Sequence, residues 1–259
     1  MKKIALFLLL PIILLAKFQV TTYFPLETYI AKYIGKKQIR VKQINNRYLA
    51  EKREISEFEL SKLADVKTYI YLGLDPEKHY IEIFKKYNPY IRILDLSKNV
   101  KLMNDNPYYW MDPFNLRVVA KNIYEEFCSI DRYNCHFYKK NYDLFLGEID
   151  KTFLIIKNKL LNSEVQNLYV MGNYWDYFAK RFRLRLHDRK KDHIKADELN
   201  NFLKETQEKN ILKLIYLMGD SYELASAISN SVGIGLIEHD PFEEKIFFNL
   251  KLLSQEISK

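Results

Sequence analysis

The chain has 259 residues, 48% of them hydrophobic and 29% charged, which excludes a disordered polymer and leaves room for one large domain or two small lobes. Its formal charge of +8 comes from Lys and Arg scattered along the sequence. No basic stretch has the aromatic interleaving or recognition-helix pattern of a nucleic-acid binder, so a solvated basic surface accounts for the charge.

Met1-Lys2-Lys3 and the apolar run Ile4 to Ala16 have the form of a secretory leader, too short for a comfortable membrane span. Cleavage after Ala16 and retention as an uncleaved N-terminal anchor are the two outcomes this segment allows. Phe18 to Phe24 then reads as a strand ending at Pro25. Leu26 to Ile34 has helical spacing up to Gly35, and Ile39 to Ile44 alternates like a second strand. Ser56 suits the N-cap of a helix from Glu57 to Leu63. Val66 to Leu72 and Ile91 to Leu94 continue a βαβαβ rhythm, which predicts a parallel sheet flanked by helices.

Pro113 to Phe127 restarts a helix, with Asp112 or its Asp-Pro turn as the cap. Cys128 and Cys135, the only cysteines, flank a short connection. Export permits a disulfide between them, and two thiols without further donors make a poor zinc site. His136 to Leu161 is an uninterrupted helical pattern. Phe137, Phe145, Ile149, Phe153, Ile156 and Leu160 share one face of it. At about 1.5 Å per residue it is longer than one small lobe needs, and reads as a connecting rod.

The second half repeats the alternation. Asn167 to Met171 is a strand, Tyr174 to Phe182 a helix, and Arg183 to Leu186 strand-like. Ala196 to Glu208 is helical, Leu212 to Met218 a strand, Ser221 to Ser231 helical, Gly235 to Glu238 a strand and Glu243 to Ile257 a closing helix. The expected architecture is α/β, with two βα lobes on parallel sheets joined by one long rigid helix. The predicted divisions are a leader at 1–16, an N-terminal lobe at 17–134, the connecting helix at 135–162 and a C-terminal lobe at 163–259.

Asn106-Pro107-Tyr108-Tyr109-Trp110-Met111-Asp112-Pro113 resembles the Asp-Pro-His-hydrophobic-Trp-hydrophobic-Asp-Pro signature of the zinc/manganese substrate-binding proteins that feed bacterial ABC importers. Six more segments are similar to that family, in the same order along the chain. They are Thr21 to Leu26, Ser56-Glu57-Phe58 leading to Ala64-Asp65, Asp112-Pro113-Phe114-Asn115 to Asn122-Ile123, Ile130-Asp131 with Tyr138 and Asn141, Tyr177 to Phe182, and Ile237 to Pro241. The resemblance implies a periplasmic, non-enzymatic, monomeric protein that docks on the membrane permease of an importer. Its cargo would be a divalent transition metal, zinc or manganese, held between the lobes by three histidines and a carboxylate.

Carried over residue by residue, that ligand set is mostly replaced. The first histidine falls near Tyr48 or Leu49, the second on Tyr108, and the third on Gly172, beside Asn173. The carboxylate falls on Asp240, which is present next to His239. Zinc favours about four donors with imidazole or thiolate among them, and phenol, leucine and glycine do not supply them. Asp240-Pro241 also has an ordinary reading as turn chemistry. His187, Asp188, Asp192 and His193, interleaved with Arg189, Lys190 and Lys191, read as an exposed charged loop. His79 and His136 sit among polar residues. Tyr108, Tyr109, Trp110, Tyr174 and Trp175 would crowd the cleft, either as packing or as walls for a planar ligand.

No nucleophile elbow, phosphate-cradling loop or zinc-hydrolase motif occurs. Two functions therefore follow from the sequence. One is an importer's binding protein that holds a metal ion or a metal-containing ligand by altered donors. The other is a degenerate scaffold that no longer binds metal and acts as a periplasmic interaction protein.

Overall fold

Residues 17–45, 55–188, 196–220 and 222–259 are described by the computed structural model. The leader, Tyr48, Leu49, Asp192 and His193 lie outside them. β1 (Phe18–Thr22) stops ahead of Pro25, which cannot donate to a ladder and instead starts α1 (Pro25–Gly35). β2 (Ile39–Gln43) follows. α2 (Glu57–Ala64) is capped as expected, Ser56 Oγ accepting from the Glu59 amide at 3.2 Å. β3 (Thr68–Tyr71) and β4 (Arg92–Asp95) flank α3 (Asp75–Tyr87). All pairs in this first sheet are parallel, in the order β2-β1-β3-β4.

α4 spans Asn115–Ile130, starting two residues later than the pattern predicts. Asp112 is not its N-cap. The Asp112 carboxylate accepts from the Phe114 amide at 2.9 Å and its carbonyl from the Asn115 amide at 3.0 Å, so the Asp-Pro segment is a turn that precedes the helix. A disulfide between Cys128 and Cys135 closes the corner from α4 into α5. α5 (Cys135–Leu161) runs for 27 residues, or roughly 40 Å. Phe145, Ile149, Ile156 and Leu160 are buried along it, with Tyr138 and Thr152, whereas Phe137 is 41% exposed.

The second sheet contains β5 (Asn167–Val170), β6 (Arg185–Asp188), β7 (Ile211–Leu217) and β8 (Gly235–His239), again all parallel, in the order β6-β5-β7-β8. α6 (Asp176–Phe182), α7 (Ala196–Glu208) and α8 (Tyr222–Val232) connect these strands. α6 ends at Arg183, which takes the left-handed conformation at φ 60° in place of a glycine. α9 (Ile246–Ser258) packs along α5, with Phe247 against both Phe145 and Tyr29 of α1.

One buried apolar cluster runs from Val20 and Ile30 through Phe145 and Ile149 to Phe178 and Leu250, so the lobes share a continuous core. Smaller clusters, around Tyr69 and Phe84 and around Phe202 and Leu214, fill the outer side of each sheet. None of the helices among the described residues is long and apolar enough to cross a membrane.

Candidate functional site between the lobes

The turn carrying Tyr108 is built by Asn106. Its Oδ1 accepts from the Tyr108 amide at 2.9 Å, and its Nδ2 donates to the Asn173 carbonyl at 2.7 Å and to Asp176 at 2.9 Å. One buried amide therefore shapes the signature loop and ties it to the opposite lobe. Tyr177 adds a second tie, its hydroxyl donating to the Asn106 carbonyl and accepting from the Met103 amide, both at 2.8 Å. Trp110, fully buried, donates from Nε1 to the Pro241 carbonyl at 2.9 Å. Tyr109 instead turns into its own lobe and donates to the Leu72 carbonyl.

The Tyr108 ring meets Tyr174 at 4.5 Å between centroids, Trp110 at 5.6 Å and Phe242 at 6.0 Å. Phe242 in turn packs on Trp110 at 5.4 Å and on Phe24, just past β1, at 5.1 Å. Edge-to-face and tilted rings at these separations attract beyond the area they bury. Rings from both lobes thus occupy the junction, with Tyr108 and Tyr174 half-buried at its mouth. Gly172 beside them has φ +116°, a conformation that side chains rarely adopt.

His239 is 4% exposed, and its Nδ1 lies 3.1 Å from the Trp175 indole nitrogen. Indole can only donate, so Nδ1 is the bare nitrogen and the ring proton sits on Nε2. Burial drives the His239 pKa down to about 3, partly opposed by the Asn249 backbone, and the ring is neutral. Among the described residues no acceptor reaches Nε2 with hydrogen-bond geometry. Coordination through Nε2 would move the proton to Nδ1, setting it against the indole N–H. His239 is therefore held as packing and is a poor metal donor.

Asp240 is half-buried. Its carboxylate accepts from the Phe242 amide at 2.8 Å, and its carbonyl from Asn249 Nδ2 at 2.7 Å. These contacts are those of the turn reading of the Asp-Pro pair. Among the described residues no group of three or more His, Cys, Asp or Glu side chains is placed to hold a metal ion. Asn173 is exposed and contributes its carbonyl to the bond from Asn106.

His187 departs from the expected charged loop. It stands on β6, its Nε2 3.2 Å from Asn167 Oδ1 and its ring edge-on to Tyr169. Desolvation, then Lys209, lowers its pKa.

Two features had no sequence signal strong enough to single them out. Arg181 forms a bidentate pair with Asp112 across the lobes, at 2.7 and 2.6 Å, and its guanidinium covers the Phe114 ring at 4.3 Å. Glu27 and Glu77 form a fully buried carboxyl pair behind the cleft. Glu77 accepts from the Leu72 and Leu74 amides and Glu27 from the Tyr23 amide. Burial, then the Glu77 charge, holds Glu27 well above the usual carboxylate range, and burial raises Glu77 as well. The shared proton belongs on Glu27 Oε1, which no donor among the described residues reaches.

Two parallel-sheet lobes on one long helix, with a signature loop facing an Asp-Pro turn across the junction, define the fold of a two-lobed substrate-binding protein. Residues 20–247 match the family described as the periplasmic component A of the zinc-uptake complex. The chain belongs to that family. A crystal structure of ZnuA is similar, with a TM-score of 0.83 at 22% identity, covering 94% of this chain and 98% of that one. The Zn(II)-bound ZnuA-like domain of Streptococcus pneumoniae AdcA reaches 0.76 at 14% identity, covering 94% and 100%. The periplasmic zinc-binding protein TroA of Treponema pallidum reaches 0.76 at 13%, covering 94% and 98%. No curated protein matches the chain.

Proposed function

We propose that this protein is the exported binding component of a metal-type ABC importer, and that its cargo is a metal-containing ligand rather than a bare zinc ion. The reading rests on the ring contact between Tyr108, where the resemblance implies an imidazole, and Tyr174, two residues past Gly172, where it implies another, with Asp240 as the carboxylate that remains. A bare zinc ion needs about four protein or water donors, with nitrogen or sulfur favoured. An ion arriving in its own ligand shell needs only a shaped wall, a charge partner and planar contacts. Half-buried tyrosine rings and one carboxylate supply those. Delivery follows from docking both lobes on a membrane permease, and the protein performs no chemistry on the ligand.

A second reading, the degenerate scaffold acting as a periplasmic interaction protein, is favoured by the Asp112–Arg181 pair and the Trp110–Pro241 bond, which tie the lobes directly to each other. Elemental analysis of protein purified from an exporting host separates the two. Stoichiometric metal, accompanied by a small-molecule ligand and lost in Asp240→Ala, is the expected result, with no thermal shift on adding zinc or manganese ions. Protein without metal, unresponsive to ions and to chelated metal alike, overturns the first reading and leaves the second.

A further inference from the structure

Among the described residues β8 is an outer strand of the second sheet, paired only with β7. The His239 carbonyl accepts from the Met218 amide, so alternate residues of the strand face β7. Leu236 and Glu238 therefore direct their amides and carbonyls outward from the sheet. A groove of about 650 Å³ follows this edge, with successive residues Leu236 to Asp240 along one side and α9 along the other. Five strand residues span about 16 Å. Both faces of a strand line such a groove only when it runs along the strand's edge.

The composition of the groove names its occupant. Met218, Phe248 and Leu252 line it and are 49%, 60% and 40% exposed, an apolar strip open to solvent. Around them stand Glu238, Asp240, Glu243 and Glu256, against Lys245 as the one cation of the lining among the described residues. That local acidity opposes the +8 charge of the chain. Tyr216 donates to Glu238 at 3.0 Å, which fixes this carboxylate at the rim.

The other outer strands carry the charged residues that discourage strand addition, Arg40 and Lys42 on β2, Arg92 on β4 and Arg185 on β6. β8, with the sequence Gly-Leu-Ile-Glu-His, has neither Lys, Arg nor Pro.

We propose that this edge is a docking site for an extended peptide segment of another protein, with basic and apolar residues in alternation, added as a fifth strand of the second sheet. Backbone hydrogen bonds to Leu236 and Glu238 provide the pairing. The apolar strip and the carboxylate rim select alternate side chains. The groove meets the cleft at Asp240, and the pairing along Leu236 and Glu238 is the same whichever cargo the cleft takes.

The probe is a fluorescein-labelled octapeptide of alternating lysine and valine, titrated by anisotropy into the mature protein, with hydrogen exchange followed at individual amides. Saturable binding with at least tenfold slower exchange at Leu236 and Glu238 is expected. Affinity should fall at least tenfold when alternate peptide bonds are N-methylated, when lysine is replaced by glutamate, or in the Glu238→Lys/Glu243→Lys variant. Both of those protein positions are exposed, so the variant should fold. Binding that survives N-methylation overturns strand addition, and slowed exchange elsewhere overturns the location. No binding at millimolar peptide overturns the proposal outright. Protection that appears with protein concentration alone would assign the edge to a second copy instead.

Discussion

Gly172 is where the resemblance implies the family's third imidazole, and replacing it tests the account of the cleft directly. At φ +116° an L side chain is strained, at a cost of about 1–3 kcal/mol. A Cβ placed there would also lie 3.0 Å from Tyr174 Cε2 and 3.1 Å from Cδ2. Favourable carbon contacts begin nearer 3.5 Å, so the ring must shift from its place against Tyr108. Gly172→Ala should lower the urea midpoint by an amount worth about 1–3 kcal/mol, at an unchanged slope. In a Tyr174→Ala background the same substitution should cost less, because the ring contact has gone while the backbone strain remains. Gly172→His with Tyr108→His should for the same reason fail to create tight zinc binding. Gly172→Ala at or above wild-type stability would refute the reasoning, since it would mean the backbone there is not constrained.

Arg181→Ala should destabilise by about 1–2 kcal/mol, a charge-assisted bidentate pair discounted because Arg181 is 31% exposed; a double-mutant cycle with Asp112→Asn should show coupling, and additive effects would refute the clamp. Replacing both Cys128 and Cys135 by serine should cost about 2.5 kcal/mol from the loop entropy released, read by urea unfolding, and no change would refute it. The Glu27–Glu77 pair predicts a pH dependence with a definite sign. Both carboxyls have raised folded pKa values, so their contribution to stability is fully present below the unfolded value near 4.5 and declines as pH rises through the folded values. Glu27→Gln, which cannot ionise, should flatten that decline and gain on wild type toward pH 8; parallel stability profiles from pH 4 to 8 would refute the shared proton.

The helices and strands were largely legible in the sequence because their patterns are local. Ser56 caps α2 through a bond spanning three residues, and α5 carries its apolar face on a helical period. Element ends were less so. Asp112 looked like a cap because Asp-Pro precedes a helical run, yet its carboxylate is shared between the Phe114 amide and Arg181, a residue distant in sequence. α3 carries its own signals, Asp75-Pro76 at its start and Asn88-Pro89 past its end, and was passed over between two predicted strands. It is set by Glu77 taking the Leu74 amide at its first turn.

By itself the sequence determined the α/β scaffold, because helices and strands follow from residue spacing, and its ordered motifs carried the resemblance to the zinc-uptake family, which puts histidines at Tyr108 and Gly172. Only the tertiary structure decided what surrounds those two positions. The ring contact of Tyr108 with Tyr174 and Phe242, the tautomer of His239 set by Trp175, and the carboxyl pair of Glu27 and Glu77 each join residues from different elements. The physical reason is range: a helix or strand is chosen by neighbours a few positions away, whereas side-chain chemistry is chosen by whatever the fold brings within about 4 Å.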